Sequence, residues 1–394
     1  MRLTHVITRL IVGGAQENTV ASVLGLRQKP DLEVELLAGP TSGPEGSLES
    51  LFADSPGCLK LVPELVRPVH PWKDWAALRR MTERFRLSRP DVVHTHSGKA
   101  GVLGRLAAAR AGVPVIIHTI HGPSFGHFQG PLANTVFRAA ERYAAKVTTH
   151  FVVVADAMKD QYMAAGIGTA DRYTKILSGF PLEPFLSTKN DLGFRARLGL
   201  RPEDIVIGKI ARLTTLKGHD DLFAIAPELV RRCPEVRFLL VGDGNWRGRF
   251  ETQARELGLD KHFIFTGLVR PETVPSWVGI MDVVVHLSLR EGLARALPQA
   301  LAAGRPIVAY DCDGAREVCL DNETGFLVCR GDRKALLERL LQLANDETLR
   351  KRFGMRGREF VRERFGVEQM VEELYRLYLR LIARESVPVA AKPA

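Results

Sequence analysis

The chain has 394 residues, of which 45% are hydrophobic and 25% charged, with a formal net charge of +10. This is an ordinary soluble composition for two domains, three at most, and no apolar run reaches the ~18 residues of a membrane span. Five cysteines without a CxxC pair argue against a disulfide framework or a zinc site and suit a reducing cytoplasm.

The basic balance suits an anionic partner: a nucleotide sugar, a phospholipid surface or a lipid diphosphate. Nucleic acid fits poorly. Aromatics are only 7%, and no RNP-like run, zinc-finger spacing or basic low-complexity arm is present.

The N-terminus lacks a signal peptide's apolar region and cleavage site, and reads as a strand ending in a glycine turn. Short apolar runs then alternate with amphipathic ones, the mark of parallel sheets built from βαβ units. In the first half the pattern predicts strands at 3–8, 34–37, 92–94, 115–118 and 151–154, helices at 16–26, 72–87 and 100–111, and loops at 39–46 and 122–131. A segment at 178–190, holding Pro181 and Pro184, reads as a linker. Strands are then predicted at 206–210, 237–241, 263–265, 283–286, 306–309 and 325–328, and helices at 334–345, 347–365 and 367–383. A frayed tail is expected over 385–394.

Several strand ends carry ligand chemistry. Gly13-Gly14 follows the first strand and precedes a helix, where a ligand can approach the backbone, although a plain tight turn explains the pair as well. Five histidines, His94, His96, His118, His121 and His127, fall within one stretch. His94 and His96 share one face of a strand. They can be read as metal ligands or as satisfied core and loop histidines; His121 stands out beside Gly122 at a loop start. The helix opened by Trp72-Lys73-Asp74-Trp75 is rich in arginine, and Trp75, Leu78 and Phe85 are expected to share a stripe. Such a helix either packs on the sheet or touches an anionic membrane.

In the second half, Arg212 and Lys217 follow one strand, Gly242 ends the next, and Val269 lies just beyond a third. Glu291-Gly292-Leu293-Ala294-Arg295 follows a fourth and leads into a helix expected near Ala294. A carboxylate there can accept from sugar hydroxyls, while amides and cations hold a diphosphate. Asp311-Cys312-Asp313 is a DxD triplet, readable as a cation site or as turn aspartates.

Taken in order, Gly13-Gly14-Ala15-Gln16, His94-Thr95-His96, His121-Gly122, Arg212…Lys217-Gly218 and the Glu291 segment resemble the retaining glycosyltransferases of family four, over nearly the whole chain. The resemblance implies the α/β GT-B fold, with two Rossmann-like domains facing across a cleft. An acceptor-side domain would span 1–180 and a donor-binding domain 181–365. A C-terminal helix over 366–384 would cross back to the first domain, ahead of the 385–394 tail. By position, Arg212 and Lys217 resemble the diphosphate-binding pair, Glu291 the carboxylate on donor-sugar hydroxyls, and His121 the histidine near the transferring sugar. Gly14, with Gly13, resembles the loop approaching the donor phosphate, and Val269 lies in the loop that meets the base. Gly242, Gly292, Leu293, Ala294 and Arg295 complete the expected donor side.

Gln299 departs from the pattern. The family often has a second glutamate there for the ribose hydroxyls, and glutamine can accept one such bond and also donate. The implied reaction is retaining transfer of a hexose from a nucleotide-diphosphate sugar, UDP-linked by family habit, to a glycan or lipid-linked acceptor. No metal or other cofactor is expected. Cytoplasmic work on cell-envelope or exopolysaccharide synthesis, peripheral on the membrane's inner face, would suit it. Two other classes stay open: a metal-dependent hydrolase using His94, His96 and His121, and a non-catalytic sugar-nucleotide-binding protein.

Overall fold

A computed structural model describes residues 1–41, 46–126 and 128–385. The chain divides into two units, one comprising Met1–Phe180 with the segment from Val367 onward, the other Pro181–Gly366.

The first unit runs β1 (Arg2–Ile7), α1 (Gly14–Leu26), β2 (Glu33–Ala38), β3 (Leu59–Leu61), α2 (Pro71–Ser88), β4 (Val92–His96), α3 (Gly98–Arg110), β5 (Val115–Ile120), α4 (Pro131–Ala145), β6 (His150–Val153), α5 (Asp156–Ala164) and β7 (Tyr173–Lys175). Its seven strands are all parallel, in the order β3-β2-β1-β4-β5-β6-β7. The strand order reverses between β1 and β4, so the loops after those strands diverge there. Such a reversal opens a crevice at the carboxyl ends of the strands.

The second unit runs α6 (Glu183–Leu186), α7 (Leu192–Arg197), β8 (Ile205–Ile210), α8 (His219–Arg232), β9 (Val236–Val241), α9 (Arg247–Glu256), β10 (Phe263–Gly267), α10 (Val274–Gly279), β11 (Val283–His286), α11 (Ala296–Ala302), β12 (Ile307–Tyr310), β13 (Gly325–Val328), α12 (Arg333–Asn345) and α13 (Glu347–Arg362). Its six parallel strands lie in the order β10-β9-β8-β11-β12-β13, with the reversal between β8 and β11.

Both sheets are buried on two faces, which is why their strands read as near-continuous apolar runs. In the first unit one face packs on α1 and on α14 (Val367–Glu385), while Ala77, Leu78, Met81 and Phe85 of α2 and the alanines of α3 cover the other. Helix α14 presents Met370, Val371, Leu374, Leu377, Tyr378 and Leu381, a helical stripe that completes this core. A Cβ on Gly25 of α1 would lie 2.5 Å from Val371, so glycine sets the approach of the two helices.

All the expected strands and named helices are present, with ends shifted by three residues at most. Two edge strands, β3 and β7, escape the sequence pattern because three residues cannot display an alternation. The expected linker holds α6 and spans the boundary between the units. Trp75 lies off the buried stripe of α2: it is 58% exposed, as Trp72 is at 79%, whereas Leu78 and Phe85 are buried. The helix expected near Ala294 begins at Ala296, and α14 extends to Glu385. His127, part of the 39–46 loop and the tail beyond Glu385 lie outside the described residues.

Candidate functional site

In the second unit the predicted residues gather at the carboxyl ends of four adjacent strands. Val269 follows β10, Gly242 follows β9, Arg212 and Lys217 follow β8, and Glu291 follows β11. The last two strands flank the reversal point. There the loops touch: Leu289 N donates to Leu216 O at 2.8 Å, and a Cβ on Gly218 would fall 2.0 Å from Leu287 O. Gly218 also has φ 65, which favours glycine. This contact brings Lys217 Nζ into an ion pair with Glu291 Oε1.

The Glu291 segment is held from its other side by the loop after β12. Glu291 N donates to Asp313 Oδ2 at 2.7 Å, and Gly314 N donates to Gly292 O at 3.0 Å. Asp311 pairs with Arg316, Nε to Oδ1 at 2.6 Å. Both DxD aspartates are thus engaged in fixing loops, which agrees with their reading as turn residues.

Beyond Glu291, the amides of Gly292, Leu293 and Ala294 donate to no protein acceptor among the described residues. Arg212 is exposed, and its side chain forms no ion pair among them. Gln299 lies on α11, and its side chain makes no hydrogen bond among the described residues. Arg295 stands immediately before the same helix and makes no side-chain capping bond to it. Gly242 has φ 137, and a Cβ there would sit 2.3 Å from Ala211 O, so glycine lets the ends of β8 and β9 close up.

Burial is the largest single influence and raises the Glu291 carboxyl, but the charge and hydrogen bond of Lys217, with smaller contributions from His286 and Ser288, together hold the group below its ordinary value of 4.5. His286 Nε2 lies 3.8 Å from the same carboxylate, yet burial pushes this histidine down to about 3, so it stays neutral. Lys217 is therefore the cation that balances Glu291. The sequence reading missed Lys209, which is 1% exposed on β8 with no partner for its Nζ. Burial, then the Lys217 charge, lower it to about 7. Its signal was present: one cation inside the apolar run 205–210.

In the first unit, Gly13 and Gly14 start α1 after β1, the strand beside the reversal. Gly13 has φ 173, ordinary extended backbone, so the fold itself does not require glycine there. His121 follows β5, partly exposed, and Nε2 of its ring lies 3.0 Å from His96 Nδ1. His94 is a satisfied core residue, with Nδ1 2.6 Å from Tyr378 Oη and Nε2 2.6 Å from Thr119 Oγ1. His118 points to the opposite face, 2.9 Å from Thr95 Oγ1.

The histidines that come together are His5, His94 and His96, whose ring nitrogens lie within 4.8 Å of one another. Most of those nitrogens already serve other bonds: both of His94 are taken, and His5 Nδ1 meets His96 Nε2 at 2.8 Å, which leaves His5 Nε2 without a hydrogen-bond partner. The grouping is a hydrogen-bonded network, and it is not the trio with His121 considered from sequence. His5 went unnoticed because its neighbour His94 is set by strand register, which a single run does not display.

Two doubly wound parallel sheets, one in each unit and each with a reversal point, define a two-unit Rossmann-like architecture. The family model described as glycosyl transferases group 1 matches residues 193–360, and that of a glycosyl transferase 4-like domain matches 13–176. The chain belongs to the group 1 glycosyltransferases. It is 26% identical over 328 residues to an Escherichia coli UDP-Gal:alpha-D-GlcNAc-diphosphoundecaprenol alpha-1,3-galactosyltransferase, covering 82% of this chain and 84% of that one. It is also 26% identical to the capsular polysaccharide biosynthesis glycosyltransferase CapM of Staphylococcus aureus, covering 79% and 82%. Anabaena Alr3699/HepE, solved in complex with UDP, superposes with a TM-score of 0.81 at 20% identity, covering 96% and 100%. That structure and its neighbours carry the GT-B fold.

Proposed function

We propose that the chain transfers a hexose-type sugar from a UDP-sugar to a glycan or lipid-linked acceptor, retaining the anomeric configuration. The observation that carries this reading is the Lys217–Glu291 pair beside three free amides at the reversal point of the second sheet. Arg212, Lys217 and the amides of 292–294 take the diphosphate and its growing negative charge as the glycosidic bond breaks. Glu291, kept ionised by Lys217, accepts bonds from the sugar hydroxyls. Gln299 serves the ribose, and Gly242, Val269 and the Leu293–Arg295 stretch line the nucleotide. Gly13 and Gly14 serve the donor phosphate, and His121 the transferring sugar. The leaving diphosphate oxygen takes the acceptor's proton on the face it departs from. Cations and amides fill the role of a metal, so transfer persists in excess EDTA.

The names of the E. coli and S. aureus relatives support a lipid-diphosphate or capsule-type acceptor and a role in envelope polysaccharide synthesis. Among the described residues no helix is long and apolar enough to cross a membrane. Exposed Trp72 and Trp75, with Lys73 and Arg79 nearby, support peripheral contact with an anionic cytoplasmic leaflet. The test is turnover of a nucleotide-sugar panel with lipid-diphosphate and glycan acceptors, the product anomer read by NMR. A retained anomer is expected. An inverted one overturns the mechanism, and binding of the nucleotide sugar without turnover supports the non-catalytic class instead.

A further inference from the structure

Three imidazoles of the first unit are joined in series. His5 Nδ1 lies 2.8 Å from His96 Nε2, and His96 Nδ1 lies 3.0 Å from His121 Nε2. The ring planes differ by 11° and 27° across these contacts, with centroids 5.1 and 5.3 Å apart. That is an in-line arrangement, too widely spaced for face-to-face stacking. Burial lowers all three rings, His5 to about 3, His121 to about 4 and His96 well below the ordinary value.

A neutral imidazole has one N–H and one acceptor nitrogen. The series therefore has two arrangements. In one, His5 Nδ1–H donates to His96, His96 Nδ1–H donates to His121 Nε2, and His121 keeps its own proton on Nδ1. In the other, every proton sits on Nε2, the bonds run the opposite way, and His5 is left with an N–H at Nε2.

The buried end decides between them. His5 Nε2 is buried and has no hydrogen-bond partner. Stranding an N–H in the interior is costlier than stranding a lone pair, and orphaned buried donors are rarer than under-satisfied acceptors. Only the first arrangement leaves a lone pair at His5 Nε2. At the other end, His121 is partly exposed and its Nδ1 makes no hydrogen bond among the described residues.

We infer that His5 and His96 are positioning residues that lock His121 as the Nδ1–H tautomer, so that its ring presents a neutral N–H to a ligand oxygen. With Nε2 occupied by His96 and a proton on Nδ1, His121 has no lone pair with which to deprotonate an acceptor hydroxyl. It is a hydrogen-bond donor to a sugar or phosphate oxygen, not a general base. The functional half of this inference rests on the reading of His121 as a site residue; the tautomer does not.

The test is a long-range ¹H–¹⁵N correlation spectrum of the full chain labelled with [¹⁵N]histidine at pH 7, with His121→Gln assigning the ring. Nδ1 of His121 is expected as the protonated nitrogen and Nε2 as the acceptor. In His96→Asn the side-chain amide still donates toward His121 and should preserve that tautomer. His96→Leu should release it and lower kcat/KM about tenfold, the value of one hydrogen bond. An Nε2–H or doubly protonated His121 in the wild type overturns the inference, as does a stoichiometric metal ion on His5, His94 and His96. If the tautomer is as stated but His121→Gln leaves turnover unchanged, the lock stands and the site assignment of His121 fails. The wild-type spectrum decides the tautomer even if the His96 variants do not fold.

Discussion

Lys217 and Glu291 form one ion pair although they stand 74 positions apart, because the loops after β8 and β11 meet beside the point where the strand order reverses. Neither side chain is deeply buried, so the pair can be opened by a competing ligand. A diphosphate would draw on the ammonium, and sugar hydroxyls on the carboxylate. Glu291→Gln and Lys217→Met are each expected to lower kcat/KM about 10²–10³-fold, the usual loss for one preorganised electrostatic group. The double variant should fall well short of the product of the two losses, since each single change leaves the other charge unbalanced. Steady-state kinetics of the four proteins check this; fully multiplicative losses would show that the two groups act independently.

Gly218→Ala tests the contact that makes the pair possible. A Cβ there would fall 2.0 Å from Leu287 O at a φ of 65. Backbone must move to admit it, and the loop carrying Lys217 moves with it. Activity should drop by at least the amount seen for Lys217→Met, with a lower melting temperature. Calorimetry and the transfer assay read the two effects separately.

Lys209 gives a pH signature. Its folded value of about 7 lies below the ordinary 10.5. Between these values the unfolded chain binds the proton and the folded chain does not, so the lysine's contribution to stability rises with pH. Below about 7 both states are charged and the burial penalty is constant. Lys209→Met should therefore stabilise the protein most below pH 7. The gain should be a few kcal/mol, at roughly 1.4 kcal/mol for each pH unit separating the folded and unfolded values. It should shrink steadily towards pH 10.5. Urea midpoints at pH 6.5, 8 and 9.5 measure it, and a gain independent of pH would mean that Lys209 remains charged in the fold.

Tyr378→Phe removes a buried hydroxyl that lies 2.6 Å from His94 Nδ1 and links α14 to the histidine network. A loss of about 1–3 kcal/mol is expected in urea unfolding, from the nitrogen left unpaired.

Most of the fold was legible because parallel strands buried on both faces leave long apolar runs, as at 205–210 and 283–286. The short edge strands were not, since three residues display no period. The positions proposed for the donor stood out for a similar reason: Arg212, Lys217, Gly242, Val269 and Glu291 lie in loops that follow such runs, and strand ends are where these sheets place ligands. What the sequence did not display was everything set by register or by a distant loop. His5 meets His94 only through strand pairing, and Asp313 meets the Glu291 amide only through the loop after β12. Lys209 carried a visible signal, a charge within an apolar strand, that was not used. Trp75 shows the opposite failure: a helical stripe drawn one residue too wide, which grouped an exposed ring with the buried Leu78 and Phe85.

Everything proposed for the second unit depends on its holding a nucleoside diphosphate through Arg212 and Lys217. Isothermal titration of UDP and UMP into the wild type and the Arg212→Met/Lys217→Met variant addresses that directly. UDP should bind the wild type and lose about 10²- to 10⁴-fold in the variant, since hydrogen bonds to charged groups contribute roughly 1.5–3 kcal/mol each and two cations are removed. UMP, lacking the β-phosphate, should bind weakly and change little. Equal UDP affinity in the two proteins, or no UDP binding to the wild type, would contradict it.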